Sequence, residues 1–294
     1  MPDRQASRRL PDHDAPGHGH GHGHGQRSRR VVVCTVLLVV LGLIGCGSTQ
    51  ADAPPTLTVL TYNIHHGEGA DGRFDLERQA QVILVSGADL VALQEVDVGT
   101  GRASGVDQAA ELARLTGMHV VFGEAMAYDG GSYGEAVLSR WPVQSHEVLP
   151  LPASDGHEPR AAVVVVVQPP GWPGPVRFAG THLDHTRDDT DRRAQMQVLR
   201  EHLERPPGSG PLPTLLVGDL NATPDSAPMA QLWEAGWTEA DPTRAPTYPA
   251  DAPERKIDWI LLAPGSAGAL TDAEVLWAPV ASDHCPFRAR WSAP

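Results

Sequence analysis

Thr214-Leu-Leu-Val-Gly-Asp-Leu-Asn221 decides the fold class. Its first residues are β-type and apolar, the pattern of a buried strand, and it stops at a carboxylate, Asp219, with an amide, Asn221, two residues further on. A spacing of two along an extended chain puts Asp219 and Asn221 on one side, where both can face the same group. The same form recurs upstream, where Val176 to His182 ends in an imidazole, Leu57 to Asn63 ends in an amide, and Leu90 to Gln94 is followed by Glu95. Val120 to Phe122, Ala136 to Ser139, Ala161 to Gln168, Asp258 to Leu262 and Phe287 to Trp291 also read as strands. Amphipathic stretches at Leu76 to Ser86, Asp107 to Thr116, Arg187 to Glu204 and Ala227 to Glu234 read as helices between them. Many strands with interspersed helices, and proline clusters at the connections, imply one layered α/β domain over residues 57–294.

Charge excludes a class of function. The chain has 23 basic and 36 acidic residues, a formal net of −13. Six Arg and three Asp lie in residues 1–45, so the 17 basic and 33 acidic groups that follow carry a net of −16. Such a body lacks the broad cationic face by which nonspecific duplex binders grip the phosphate backbone. Lys256 is the only lysine, so cationic help at a phosphate falls mainly to arginine.

Residues 1–30 are a polar leader containing the run His18-Gly-His20-Gly-His22-Gly-His24, which reads as a solvated tail although such tracts can chelate transition metals. Arg27, Arg29 and Arg30 then precede an apolar run from Val31 to Ile44, a hydrophobic segment of signal-peptide length. It ends Leu43-Ile-Gly-Cys46-Gly-Ser48, similar to the lipobox of bacterial lipoproteins. The expectation over 31–48 is export with lipidation at Cys46, a signal anchor or plain secretory signal being the alternatives, and 49–56 is a polar tether. With three cysteines this far apart, neither a disulfide framework nor a zinc cluster is expected.

Taken singly, each polar residue at a strand end has an ordinary reading. Asn63 suits a turn, while Glu95 at the mouth of a buried strand needs a partner that a hard cation could supply. Two further groupings stand late in the chain, Lys256-Ile-Asp258-Trp at the head of an apolar strand and Ser282-Asp283-His284-Cys285-Pro286. Cys285 reads as a packed side chain rather than a nucleophile.

Together, Tyr62-Asn63-Ile64, Gln94-Glu95-Val96, Gly180-Thr-His182-Leu183, Gly218-Asp219-Leu-Asn221, Ile257-Asp258 and Ser282-Asp283-His284 resemble, in order, the motifs of the endonuclease/exonuclease/phosphatase superfamily, and the resemblance spans about Leu57 to Trp291. It implies a four-layer α/β/β/α sandwich with the site at one end of the sheets. It implies a Mg2+ or Mn2+ cofactor held by Glu95 with Asn63 and Asp283, oxygen ligation that suits hard cations. Asp219 would deprotonate or orient the attacking water, Asn221 would bond the phosphate, and His284, held by Asp258, would stabilise charge. His182 is then a candidate general acid. In Tyr133-Gly-Glu135-Ala-Val-Leu-Ser139-Arg140 the family commonly has Asn where Glu135 stands, leaving Glu135 either as a carboxylate partner of His182 or as a solvated strand residue. Arg160 contacts phosphate or makes a structural ion pair. His65, His66, His185, Arg193 and Gln195 are read as surface or supporting residues.

The bond type is clearer than the substrate. The expectation is a monomeric, exported, membrane-tethered phosphoesterase acting on small or lipid-linked phosphoesters. An extracellular DNase I-like nuclease, a sphingomyelinase-like lipid phosphodiesterase and a non-catalytic binding lipoprotein are the alternatives. Among the tryptophans, Trp172 in Pro169-Pro-Gly-Trp-Pro-Gly174 reads as an exposed turn.

Overall fold

The computed structural model describes residues 54–204 and 212–293; the leader, the Val31 to Ile44 segment, Cys46 and residues 49–53 of the tether lie outside the described residues. In chain order the elements begin β1 (Thr56–Asn63), α1 (Leu76–Ser86), β2 (Leu90–Val98), α2 (Gln108–Thr116), β3 (His119–Tyr128), β4 (Gly131–Ser139) and β5 (Val143–Leu151). They continue β6 (Arg160–Val167), β7 (Val176–His182), α3 (Thr190–Leu203), β8 (Thr214–Asp219) and α4 (Ala227–Ala235). The chain closes with β9 (Thr238–Glu239), β10 (Asp258–Leu262), β11 (Ala269–Val275) and β12 (Phe287–Ser292).

Two six-stranded mixed sheets result, ordered β11-β12-β1-β2-β4-β3 and β5-β6-β7-β8-β10-β9. Alternation along each central strand explains why the sheets stack and why each is also covered outside. In β8, Leu215 and Val217 point into the core between the sheets, where Val59, Ala92, Phe178, Ile260 and Trp291 meet them. Leu216, between them in sequence, faces the other way into a second core with Met196 and Leu199 of α3 and Met229 and Leu232 of α4. The first sheet repeats the arrangement, with Leu60, Val91 and Leu93 packing outward on Leu76, Ala80 and Ile83 of α1 and Leu112 of α2. The layers are therefore helix, sheet, sheet, helix, as the motif resemblance implies. Each fully buried Leu, Ile or Phe in these cores contributes about 1.5–3 kcal/mol.

Helix boundaries follow capping chemistry. Asp75 accepts a hydrogen bond from Arg78 N at 2.9 Å and Asp107 from Ala110 N at 2.9 Å, so Asp107 caps α2 instead of joining it. Gly87, Gly117 and Gly236 end α1, α2 and α4 in the left-handed region. The third helix starts at Thr190, three residues later than its amphipathic pattern suggests. The strands that sequence reading misses, β5, β9 and β11, are a sheet edge (β5, β9 and β11 alike), and β5 is largely exposed in its middle. Trp172 is buried rather than exposed and meets Trp291 edge-on at 4.7 Å, sealing one margin of the inter-sheet core. The exposed tryptophan is Trp277. No helix among the described residues is long and apolar enough to cross a membrane.

Candidate active site

Strand register assembles the site before any side-chain detail. Parallel pairing of β7 with β8 sets His182 beside Asp219, and antiparallel pairing of β8 with β10 sets Asp219 beside Asp258. Three adjacent strands thus deliver an imidazole and two carboxylates at one level. In the other sheet, β1 and β2 run parallel with Asn63 beside Gln94, so Glu95 follows one residue beyond. Glu95 sits in an irregularity of the β2–β4 ladder at φ 59, a left-handed conformation that costs a non-glycine residue about 1–3 kcal/mol and re-aims its side chain. Asn63 joins the sheets, its Nδ2 donating to Glu95 Oε1 at 2.9 Å and to Asp219 Oδ2 at 3.3 Å.

A single cavity of about 500 Å³ collects Glu95, Arg160, His182, Asp219, Asn221, Asp283 and His284 from segments spread across the chain. Asp258 stands behind it, donated to by His284 Nδ1 at 3.0 and 3.2 Å, while His284 Nε2 is 3.5 Å from Asp219 Oδ2. Burial alone would lower the His284 pKa, but the facing carboxylates of Asp258 and Asp219 outweigh it and push it up to about 10. His284 is therefore an imidazolium at neutral pH. Burial pushes Asp219 up to about 7, against the attraction of that imidazolium. Burial also opposes the Glu95 charge, yet His66 Nδ1 at 3.8 Å, the Asn63 amide and the His284 cation hold this carboxyl well below its usual range.

His182 departs from expectation. Its Nδ1 is 3.0 Å from Arg160 Nη1, and its Nε2 is 3.0 Å from Asn221 Nδ2 and 3.5 Å from Asp219 Oδ2. A guanidinium only donates, and its charge makes it the stronger claimant of a lone pair, so Nδ1 is the acceptor and the proton sits on Nε2, which requires the Asn221 amide to turn its Oδ1 rather than its Nδ2 to that N–H. Burial and then the Arg160 charge drive its pKa well below the usual value. A neutral imidazole facing a guanidinium is poorly suited to the expected general-acid role; it is a fixed N–H donor. Neither reading of Glu135 holds, because Arg160 occupies the position on His182 and Glu135 is fully buried, with both oxygens lacking a partner. Burial raises its pKa well above the usual carboxylate value, against the pull of the Arg160 charge. Arg160 also reaches His185 Nδ1 at 3.1 Å and Glu158 at 3.2 Å, which makes it a buried organiser.

Other cavity residues escape sequence reading. His65, His66 and His185 line it rather than the outer surface, as do Arg102, Tyr128, Tyr133, Tyr248 and Arg255. His65 and His66 have positive φ in a short 3-10 turn directly after β1, and that paired histidine after a motif is a usable signal. Gln195 supports from behind, accepting from Asp184 N at 2.9 Å and donating to Pro152 O at 2.9 Å, whereas Arg193 is exposed. Cys285 is buried, and burial pushes its thiol up to about 11.

Donor chemistry tests whether a divalent cation fits. Asp219, Asp258 and His284 offer ligand atoms within 4.8 Å of one another, as do His157, Asp184 and Asp191. In the first trio the His284 imidazolium already lies between the two carboxylates as their counter-cation. In the second, His157 Nδ1 is 2.6 Å from Asp191 Oδ2, and Ser154 donates N–H and O–H to the same carboxylate. Glu95 and Asp283 instead turn carboxylate oxygens to the cavity; among the described residues Asp283 accepts only from Ser282 Oγ at 3.3 Å. Oxygen donors of this kind fit a hard divalent ion. Asn63, as placed, offers this cluster its nitrogen, and its Oδ1 accepts from His65 N at 3.0 Å.

Comparison with known proteins places this geometry. The model of the Endonuclease/Exonuclease/phosphatase family matches residues 60–284. YbhP of Escherichia coli (strain K12), an uncharacterised protein, is 29% identical over 243 residues, covering 79% of this chain and 94% of YbhP. The crystal structure of an endonuclease/exonuclease/phosphatase from Beutenbergia cavernae has a TM-score of 0.70 and 27% identity, covering 81% of this chain and 72% of that one. A mannosyl-6-phosphatase of Bacteroides thetaiotaomicron shares the fold at a TM-score of 0.61 and 18% identity, over 79% of this chain and 98% of its own.

Proposed function

The chain belongs to the endonuclease/exonuclease/phosphatase family of phosphoester hydrolases, and we propose that it is an exported, divalent-metal-dependent phosphoesterase that directs water at the phosphorus of small phosphoesters. One observation carries this reading: Glu95, His182, Asp219, Asn221, Asp283 and His284, from four motifs far apart in the chain, line one cavity. Export and tethering rest on the Val31 to Ile44 segment and Cys46, and we take the enzyme to act as a monomer.

Glu95 and Asp283 would hold Mg2+ or Mn2+, with Asn63 contributing its carbonyl once its amide is turned. When bound, the ion neutralises phosphate charge and polarises the ester. The remaining work belongs to the chain. Asp219 takes the proton of the attacking water, and a carboxyl held near 7 can do so at neutral pH and release it again. His284, kept cationic by Asp258, lies beside Asp219 and stabilises the charge that builds on the phosphoryl oxygens. The Nε2–H of His182, its ring held by Arg160, is a donor for the same oxygens, and Asn221 stands beside it on the phosphate side of the cavity. The leaving oxygen then takes its proton from solvent rather than from His182.

Against a nuclease stands the acidic body; against a sphingomyelinase-like enzyme stands the burial of Trp172, which leaves the isolated Trp277 as the exposed tryptophan. The test is hydrolysis of bis(p-nitrophenyl) phosphate with Mg2+ or Mn2+. The proposal expects turnover that EDTA abolishes and that Asp219→Asn lowers by about 10²–10⁴. A protein inert with every divalent ion would instead be a binding lipoprotein.

A further inference from the structure

Three arginines line the cavity, and two of them are already neutralised. Arg102 gives Nε and Nη2 to Asp97 at 2.6 and 2.9 Å, and Arg160 pairs with Glu158 at 3.2 Å. Arg255 has no carboxylate within 4.0 Å among the described residues. Its guanidinium carbon instead lies 4.8 Å over the ring of Tyr248, whose own centroid is 4.7 Å from the His284 imidazole. Both cations therefore touch one ring, and Arg255 stands within two stacking distances of the histidine assigned to the phosphate.

This placement is built rather than incidental. Tyr248 and Arg255 exchange backbone hydrogen bonds at 3.1 and 2.9 Å, closing a hairpin. That hairpin is pinned to the catalytic loop by Ala250 N to Asp283 O at 2.7 Å and Cys285 N to Thr247 O at 2.8 Å. An exposed arginine elsewhere on the surface would be an ordinary solvated cation; this one is held in register with Asp283 and His284. Facing it, Tyr128 and Tyr133 flank the neutralised Arg102 at 4.5 and 5.4 Å and present flat surfaces for an uncharged body.

Resting on the phosphoesterase reading, we propose that Arg255 receives a second anionic group of the substrate, so that preferred substrates are small molecules carrying a phosphate or carboxylate besides the ester that is cut. A cavity of about 500 Å³ has the size of a small-ligand site. One free guanidinium matches one extra anionic group, whereas a polyanion would need a row of such cations that the acidic body lacks.

The experiment compares kcat/KM of the full chain with Mn2+ on two matched pairs: glycerophosphoserine against glycerophosphoethanolamine, which differ by a carboxylate, and glucose 1,6-bisphosphate against glucose 6-phosphate. In at least one pair the more anionic member is favoured about tenfold or more. Arg255→Gln brings that ratio close to one, mainly through KM, and Arg255→Lys restores part of it. A loss of structure would lower both members equally and leave the ratio intact. Hydrolysis of bis(p-nitrophenyl) phosphate without preference in either pair, or a preference unchanged in Arg255→Gln, overturns the inference and leaves the phosphoesterase reading standing. No hydrolysis of any of the five compounds removes both.

Discussion

His182 and His284 are two imidazoles of one site held in opposite states by their neighbours. Asp258 and Asp219 make His284 a cation; burial and the Arg160 charge keep His182 neutral, and Arg160 fixes its proton on Nε2. Nitrogen-15 NMR of the imidazoles reads this directly. His182 is expected to show an unprotonated Nδ1 and a protonated Nε2 at neutral pH, and in Arg160→Gln its titration should move upward, burial still holding it below the usual value. A wild-type His182 that titrates near 6.5 would contradict the assignment. The raised His284 pKa also has a sign in stability. Its folded value of about 10 lies above the unfolded value of about 6.5, so its contribution is full below about 6.5 and fades as pH rises through about 10. In EDTA, urea unfolding should therefore show a wild-type advantage over His284→Asn that is largest near pH 6 and shrinks towards pH 10; an advantage that does not change with pH would refute the charge assignment. Strand-ending polar groups such as Asp219 and His182 are legible in sequence because each interrupts an apolar run. The surroundings of His182 and Glu135 are not, because they depend on where Arg160, the first residue of β6, turns its head.

Secondary-structure elements locate the site through close backbone contact. Gly218 has φ +155, and a Cβ there would lie 1.9 Å from Thr181 O, so glycine alone lets β8 approach β7 closely enough to set Asp219 beside His182. Gly218→Ala should cost about 3 kcal/mol in urea denaturation and lower activity more than its loss of stability explains. A stable, fully active variant would show that the close approach is dispensable. Central strands such as β7 and β8 were readable because both faces are buried and every residue is constrained. The edge strand β5, with Ser145, His146 and Glu147 exposed, carries polar residues through its middle and gives no apolar run to find. Trp172 misled for the related reason that Pro-Gly-Trp-Pro-Gly describes a turn but not whether a tryptophan across the sheet, here Trp291, will cover it.

At the scale of the whole molecule, the two sheets serve to bring β-strand ends from distant parts of the chain to one rim. The order of six short motifs from Asn63 to His284 made that convergence legible, although no single motif did. Convergence leaves two carboxylates unmatched, and the central claim rests on them: Glu95 and Asp283, each without an arginine or lysine partner among the described residues, would together hold one hard cation. The direct measurement is a titration of the metal-free protein with Mn2+, the free ion being followed by electron paramagnetic resonance. The account predicts one bound ion per chain in wild type and in Asp191→Asn, and its loss in Glu95→Gln and in Asp283→Asn. Binding that survives in Glu95→Gln and disappears in Asp191→Asn would put the cation in the His157–Asp184–Asp191 cluster and contradict the site described for catalysis.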